Sequence, residues 1–264
     1  MHRELEILCE AIKQAGQRVL HLAKEGFETY RKKDRSPVTS ADLEANRILQ
    51  EALMGHFPED GWLSEESPDN SERLGKKRVW VVDPIDGTKH FMKGIPQYAI
   101  SVALVEGSQP VLAAVYNPAT EELFSAIRGN GLHLNEEPVH VNQPVSERLK
   151  ILLNPSRLAK GEFKEYADTA DLQPMGSIAY SMALVAAGKA DGTINVDPLH
   201  EWDVVAGWLL VQEGRGTVTD YKGMPISYNQ ADPLVDGILA ARCGTQQPFE
   251  ALISEGTKKR GLSP

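Results

Sequence analysis

The stretch Arg78-Val79-Trp80-Val81-Val82-Asp83-Pro84-Ile85-Asp86-Gly87-Thr88 decides how this chain is read. After the arginine it is β-branched and aromatic, the composition of a buried strand. Pro84 has no N–H to give to a sheet ladder, so the strand is expected to stop at Asp83. Asp83 then stands at a strand's carboxyl end, Asp86 and Gly87 turn the chain, and Thr88 opens a helix. The free N–H groups and dipole of a helix start favour a phosphate. Carboxylates favour a hard cation such as Mg²⁺. A combined metal and phosphate site is the chemistry this spacing suits.

Upstream, apolar residues from Leu5 to Ala23 recur at helical spacing, and Gly26 marks the end of that helix. Arg31, Lys32, Lys33 and Arg35 form a basic connector, read as a solvated loop in preference to a substrate-binding one. Thr39 with Asp42 three residues on is a helix-start signature that puts Asp42 in a first turn. Gly61 to Ser64 reads as a short strand running into Glu65 and Glu66, followed by a polar loop to Gly75. Downstream, Tyr98–Val105, Pro110–Tyr116 and Glu122–Arg128 predict an antiparallel meander, with Gly129-Asn130-Gly131 as a hairpin turn rather than a phosphate loop.

From Ile151 the pattern alternates. Strands are expected at Ile151–Leu153 and near Gly192–Val196, and helices near Lys160–Thr169, at Ser177–Ala187 and at Val204–Gln212. Residues 1–148 thus form an α+β half with most of the candidate metal ligands, and 149–264 an α/β half that supplies Asp203. No Pro/Ser-rich linker parts them, so a single catalytic unit spanning 1–264 is expected.

The composition narrows the class. The chain has 264 residues, 41% hydrophobic and 25% charged, enough for a substantial core. A formal net charge of −9 repels polyanions, which excludes a nucleic-acid polymer as the expected partner. No apolar run is long enough to span a membrane, and Glu4, Glu6 and Glu10 do not suit an export signal. The two cysteines, Cys9 and Cys243, are far apart and lack metal-ligand spacing, so a reduced cytoplasmic setting without a disulfide is expected. Walker, dinucleotide-binding and zinc-protease patterns are missing. Haloacid-dehalogenase-like enzymes also carry an acidic DGT turn, but theirs is DxDxT with the first Asp as nucleophile. Here Pro84 and Ile85 separate Asp83 from Asp86, so water is the expected nucleophile.

Three segments occur in order: Ser64-Glu65-Glu66, then WVVDPIDGT ending at Thr88, then EWDVVAG from Glu201 to Gly207. Together they resemble the inositol monophosphatase superfamily over nearly the whole chain. The resemblance implies a layered αβαβα sandwich, a composite of α+β and α/β halves. It also implies two or three Mg²⁺ ions, sensitivity to lithium and a homodimer. It assigns Glu65, Asp83 and the Ile85 carbonyl to a first ion and Asp83, Asp86 and Asp203 to a second. A third ion would rest on Glu65 with Asp42 nearby, since Val38 to Asp42 matches the family's VTxxD; Glu66 is the alternative to Glu65. Glu65 and Thr88 would orient the attacking water, Asp42 would help withdraw its proton, and the Gly87 and Thr88 amides would brace the phosphate.

The substrate signals are mixed. Thr88-Lys89-His90-Phe91 is similar to the TKEF of 3′(2′),5′-bisphosphate nucleotidases, with His90 in place of Glu. Lys33 to Thr39 resembles those enzymes and histidinol phosphatases, whereas Gly94-Ile95-Pro96 is closer to the inositol branch. The glutamate typical of inositol enzymes seven residues before the WD aspartate is here Val196, with Asp197 beside it. Lys89 would meet a second phosphate as a point charge. The expected substrate is therefore a bisphosphate nucleotide such as 3′-phosphoadenosine 5′-phosphate. Inositol 1-phosphate, fructose 1,6-bisphosphate and histidinol phosphate are the alternatives. From another class, a noncatalytic metal- or ligand-binding regulator is opposed by the complete set Glu65, Asp83, Asp86, Thr88 and Asp203.

Overall fold

A computed structural model describes residues 1–33 and 35–259. Asp34, and with it part of the Lys33 to Thr39 resemblance, lies outside the described residues. Two long helices, α1 (His2–Glu25) and α2 (Ser40–His56), are joined through a small antiparallel hairpin of β1 (Thr29–Arg31) and β2 (Pro37–Thr39). α1 ends at Gly26, and α2 starts with the capping box of Thr39 and Asp42, as the spacing predicts.

A seven-stranded sheet follows, its strands in sequence order: β3 (Gly61–Ser64), β4 (Arg78–Asp86), β5 (Ala99–Glu106), β6 (Gln109–Asn117), β7 (Glu122–Ile127), β8 (Leu132–Leu134) and β9 (Glu137–Pro138). One helical turn, α3 (Thr88–Phe91), links β4 to β5. β3 lies parallel to β4, and every later neighbour is antiparallel, which is the expected meander.

The second half runs β10 (Leu149–Leu153), α4 (Pro155–Ala159), β11 (Ala170–Pro174), α5 (Ile178–Ala186), β12 (Gly192–Asn195), β13 (Leu199–His200), α6 (Glu201–Glu213), β14 (Thr217–Thr219), β15 (Leu234–Val235), β16 (Ile238–Ala241) and α7 (Gln246–Lys259). Its five-stranded sheet has the order β11-β10-β12-β16-β14. The helix expected near Lys160–Thr169 is not there. α4 stops earlier, Gly161 turns the chain at φ +70°, and a 3₁₀ turn over Lys164–Tyr166 follows. This tighter path buries Phe163 and Tyr166 together, which helical spacing in the sequence had not separated from an amphipathic helix.

Strand alternation builds the layers. On β4, Trp80 and Val82 face a core shared with α1 and α2, while Val79 and Val81 face a second core built on α5 and α6. β5 repeats this, with Ile100, Val102 and Leu104 on the first side and Ala99, Ala103 and Val105 on the other. On the five-stranded sheet, Leu152 and Ala240 face α5 and α6, while Ile151, Leu153 and Ile194 pack outward against Phe163, Tyr166 and Phe249. The order is helices, sheet, helices, sheet, helices: the layered αβαβα arrangement. Cys9 and Cys243 are both free. Among the described residues no helix is long and apolar enough to cross a membrane.

One group in the middle layer is poorly matched. Tyr228 is fully buried, edge-on to Trp208 at 6.0 Å, and its hydroxyl has no hydrogen-bond partner among the described residues. Replacing it with phenylalanine removes an unsatisfied buried donor and keeps the ring. Tyr228→Phe is expected to stabilise the fold by about 1 kcal/mol, a rise of roughly 2–4 °C in melting temperature. Calorimetry showing a fall instead would mean that a buried water serves that hydroxyl.

Candidate active site

The Asp83-Pro84-Ile85-Asp86 run does not end its strand at Asp83. β4 continues to Asp86 through an irregularity: Asp83 pairs with Ser101 and Asp86 with Ala99, three residues of advance on β4 against two on β5. That is a one-residue bulge, and Pro84, which has no N–H, sits inside it where no ladder bond is needed. In a regular strand, residues three apart face opposite sides. The extra residue cancels this, so Asp83 and Asp86 both stand on the face of Ser101 and Ala99, toward α5 and α6. Ile85 turns the other way into the α1–α2 core. Gly87 then takes φ +94°, and a Cβ there would meet the Gln97 carbonyl at 2.8 Å, so only glycine closes this turn.

Two helix starts complete the cluster. Asp86 accepts from the Ser177 hydroxyl and the Ala179 N–H, both at 2.6 Å, at the beginning of α5. Ser177 is also the N-cap of that helix and accepts from the Tyr180 N–H. Asp203, in the first turn of α6, accepts from the His200 N–H at 2.7 Å. Asp83, Asp86 and Asp203 each bring a carboxylate oxygen within 4.8 Å of the others. Ser101 donates to the Trp202 carbonyl at 3.3 Å and ties α6 to the sheet beneath them.

Glu65 and Glu66 leave β3 beside this cluster, and Lys32 Nζ lies 2.6 Å from a carboxylate oxygen of each. The basic connector is thus not wholly a solvated loop: Lys32 is drawn inward by two acids. On the far side, Asp42 accepts from the Thr39 N–H at 2.8 Å. The Thr88 hydroxyl lies 3.1 Å from both Asp42 Oδ1 and the Ile85 carbonyl, with one hydrogen to share between them. Lys89 is exposed, and Val196 packs into the outer core, away from the acids.

The electrostatics follow from burial and crowding. Burial, reinforced by Glu65, Asp86 and Asp203, holds the Asp83 carboxyl well above the carboxylate range; burial with Asp86 and Glu65 does the same to Asp203. Asp86 is pushed up to about 7, chiefly by burial, against the pull of its helix-start hydrogen bonds. Burial also raises Asp42 to about 6 and Glu66 to about 7. Converging hard oxygen donors that resist ionising together are a donor set suited to a divalent cation, whose charge offsets their repulsion.

A cavity of about 140 Å³ opens beside Asp86 and Asp203, with Asn154, Gly176, Thr193 and Asn195 in its walls. Sequence reading missed Ser177, Lys32 and these two asparagines as site residues. Only Ser177 had a local signal, a serine ahead of an apolar helix.

Paired carboxylates on a bulged strand, helix starts beside them and an adjoining cavity form a donor set that could hold a divalent cation, in a layered αβαβα fold. The sequence profile described as Inositol monophosphatase family matches residues 1–257, and the chain belongs to that family. It is 35% identical over 260 residues to an Inositol-1-monophosphatase of Rhizobium meliloti (strain 1021), covering 94% of each chain. It is 30% identical over 272 residues to a Histidinol-phosphatase of Chlorobaculum parvum, covering 98% of this chain and all of the relative. Among solved structures, the extragenic suppressor protein suhB of Bartonella henselae superposes with a TM-score of 0.82 at 27% identity, covering 96% of this chain and 98% of the other. Membership makes the chain a metal-dependent phosphomonoester hydrolase of the family that acts on small phosphorylated substrates.

An acid whose pKa rises on folding binds more protons folded than unfolded. Through Asp42, Asp86 and Glu66, the cation-free protein therefore loses stability as pH climbs from about 4 to about 7. A divalent cation held by Asp83, Asp86 and Asp203 would take the place of the Asp86 proton and favour the ionised forms of the acids around it. The rise in melting temperature on adding Mg²⁺ or Mn²⁺ is expected to be larger near pH 8 than near pH 5.5, and equal rises would contradict this electrostatic account.

Proposed function

We propose that this chain hydrolyses the phosphomonoester of a small hydroxylated metabolite with Mg²⁺ held by Asp83, Asp86 and Asp203, together with Glu65 and the Ile85 carbonyl. The observation that carries the reading is the convergence of the three aspartates within 4.8 Å, next to the Asp42–Thr88 contact. Bound there, Mg²⁺ supplies positive charge that stabilises the charge developing on phosphate and leaving oxygens and makes a nearby water more acidic.

The chain's own groups then have separate tasks. Thr88, held by Asp42 and Ile85, orients the attacking water and passes its proton toward Asp42. Burial suits Asp42 to that task, since a carboxyl near pH 6 takes up a proton more readily than an exposed one. As the first residues of the turn into α3, Gly87 and Thr88 have N–H groups without intrahelical acceptors, free to brace phosphate oxygens. Glu65, with Glu66 as the alternative, completes the acidic wall.

For the substrate, the cavity supports a monophosphate over the bisphosphate nucleotide suggested by Thr88 to Phe91. Lys89 does not line the cavity, and Arg157, one turn beyond Asn154, is committed to Asp197 and Glu162. No free cation among the cavity-lining residues is available for a second phosphate. Neither sequence relative reported above carries a nucleotidase name.

Asp83→Asn is expected to lower phosphate release from inositol 1-phosphate by at least about 100-fold, because two proposed ion sites share that ligand. Asp42→Asn is expected to lower kcat by roughly 10²-fold with KM little changed. Wild-type rates in a folded Asp83→Asn protein would refute the assignment.

A further inference from the structure

We infer that Asn154 and Asn195 are specificity-determining residues that read the leaving group of the substrate by donating hydrogen bonds to its hydroxyl oxygens. The inference rests on the proposed phosphomonoester hydrolysis and specifies which alcohols the site releases. Both asparagines line the cavity that opens beside Asp86 and Asp203, and they come from different elements. Asn154 caps α4, and Asn195 ends β12.

The orientation of each amide is fixed by the backbone. Asn154 Oδ1 accepts from the Ser156 N–H at 2.9 Å, and Asn195 Oδ1 accepts from the Asp197 N–H at 2.8 Å. A backbone N–H needs an acceptor, so in both residues the oxygen is held by the turn and the NH₂ is the remaining end. Neither NH₂ has a protein partner among the described residues, and Asn195 is 9% exposed. Asn154 is exposed, and Tyr228 Oη is the only buried side-chain polar atom without a partner among the described residues, so both NH₂ groups are open to water in the cavity, whose place a substrate hydroxyl oxygen can take.

The rest of the wall sharpens the selection. Its hydroxyl hydrogens are already engaged, Thr193 with the Leu152 carbonyl at 2.9 Å and Ser181 with the Ser177 carbonyl at 2.7 Å. Alternation along β12 sends Ile194 to the outer core, while Thr193 and Asn195 take the opposite face. The cavity therefore presents two oriented neutral donors and no cation beside the acids. That arrangement suits an uncharged polyhydroxylated leaving group with acceptor oxygens near the ester. It does not suit one bearing a second phosphate, which would need a compensating cation.

The test uses Asn154→Ser and Asn195→Ser in the full chain. Serine keeps a neutral oxygen able to accept the local backbone N–H, so each turn is retained while the NH₂ is lost. Kinetics are measured with Mg²⁺ on inositol 1-phosphate and on p-nitrophenyl phosphate, whose leaving group has no hydroxyl neighbours. Each variant is expected to raise KM for inositol 1-phosphate about 10-fold and to leave kcat/KM for the aryl phosphate within about twofold. Equal losses on both substrates would mean that the asparagines only support the fold, and unchanged KM values would mean that they do not touch the leaving group; either overturns the inference. Wild-type hydrolysis of the aryl ester without hydrolysis of inositol 1-phosphate also overturns it while leaving the phosphatase reading intact. Failure of the wild type to release phosphate from either ester would instead remove the phosphatase reading, and the inference with it.

Discussion

The arrangement of this site depends on one extra residue in β4. Without the bulge at Pro84 and Ile85, Asp83 and Asp86 would point to opposite faces of the sheet, one of them into the α1–α2 core among apolar side chains. With it, both face the middle helical layer, where α6 brings Asp203 and α5 brings hydrogen-bond donors. A bulge is normally a local irregularity, but here it converts a sequence spacing of three into a shared direction. Pro84 holds the irregularity in place because it cannot rejoin the ladder.

The same geometry accumulates negative charge in a buried place. Asp83, Asp86 and Asp203 each carry a raised pKa, with burial as the first cause and one another among the rest. Helix starts relieve part of this: the first turn of α5 donates to Asp86, and the N–H of His200, the residue that caps α6, donates to Asp203. Lys32 relieves another part by reaching from its hairpin to Glu65 and Glu66. Neither measure neutralises the central aspartates, and this leaves a cation as the partner that the donor set suits.

Much of this was legible in the sequence wherever the determinant was local. The Thr39–Asp42 capping box involves residues three apart, and it forms where the spacing puts it. The β5–β7 meander follows from alternation and short turns, and Asp83, Asp86 and Asp203 converge from two separate segments whose grouping came from the family resemblance. The strand end was misjudged because Pro84 reads as a terminator, while pairing with β5 on both sides of it is a tertiary fact. The segment 160–169 was misread as one helix because Phe163 and Tyr166 suit helical and 3₁₀ spacing alike. Asn154 and Asn195 carried no site signal, and the basic run around Lys32 gave no sign of its pairing with Glu65 and Glu66, since what matters in each is a neighbour remote in sequence or a turn that fixes an amide.

The central claim is that Asp83, Asp86 and Asp203 together hold a divalent cation. Crystals grown with Mn²⁺ and measured for anomalous scattering test it most directly. The account predicts a strong peak bonded to carboxylate oxygens of all three aspartates. Density free of any peak between them at saturating Mn²⁺, or a peak bonded to none of the three, would contradict it.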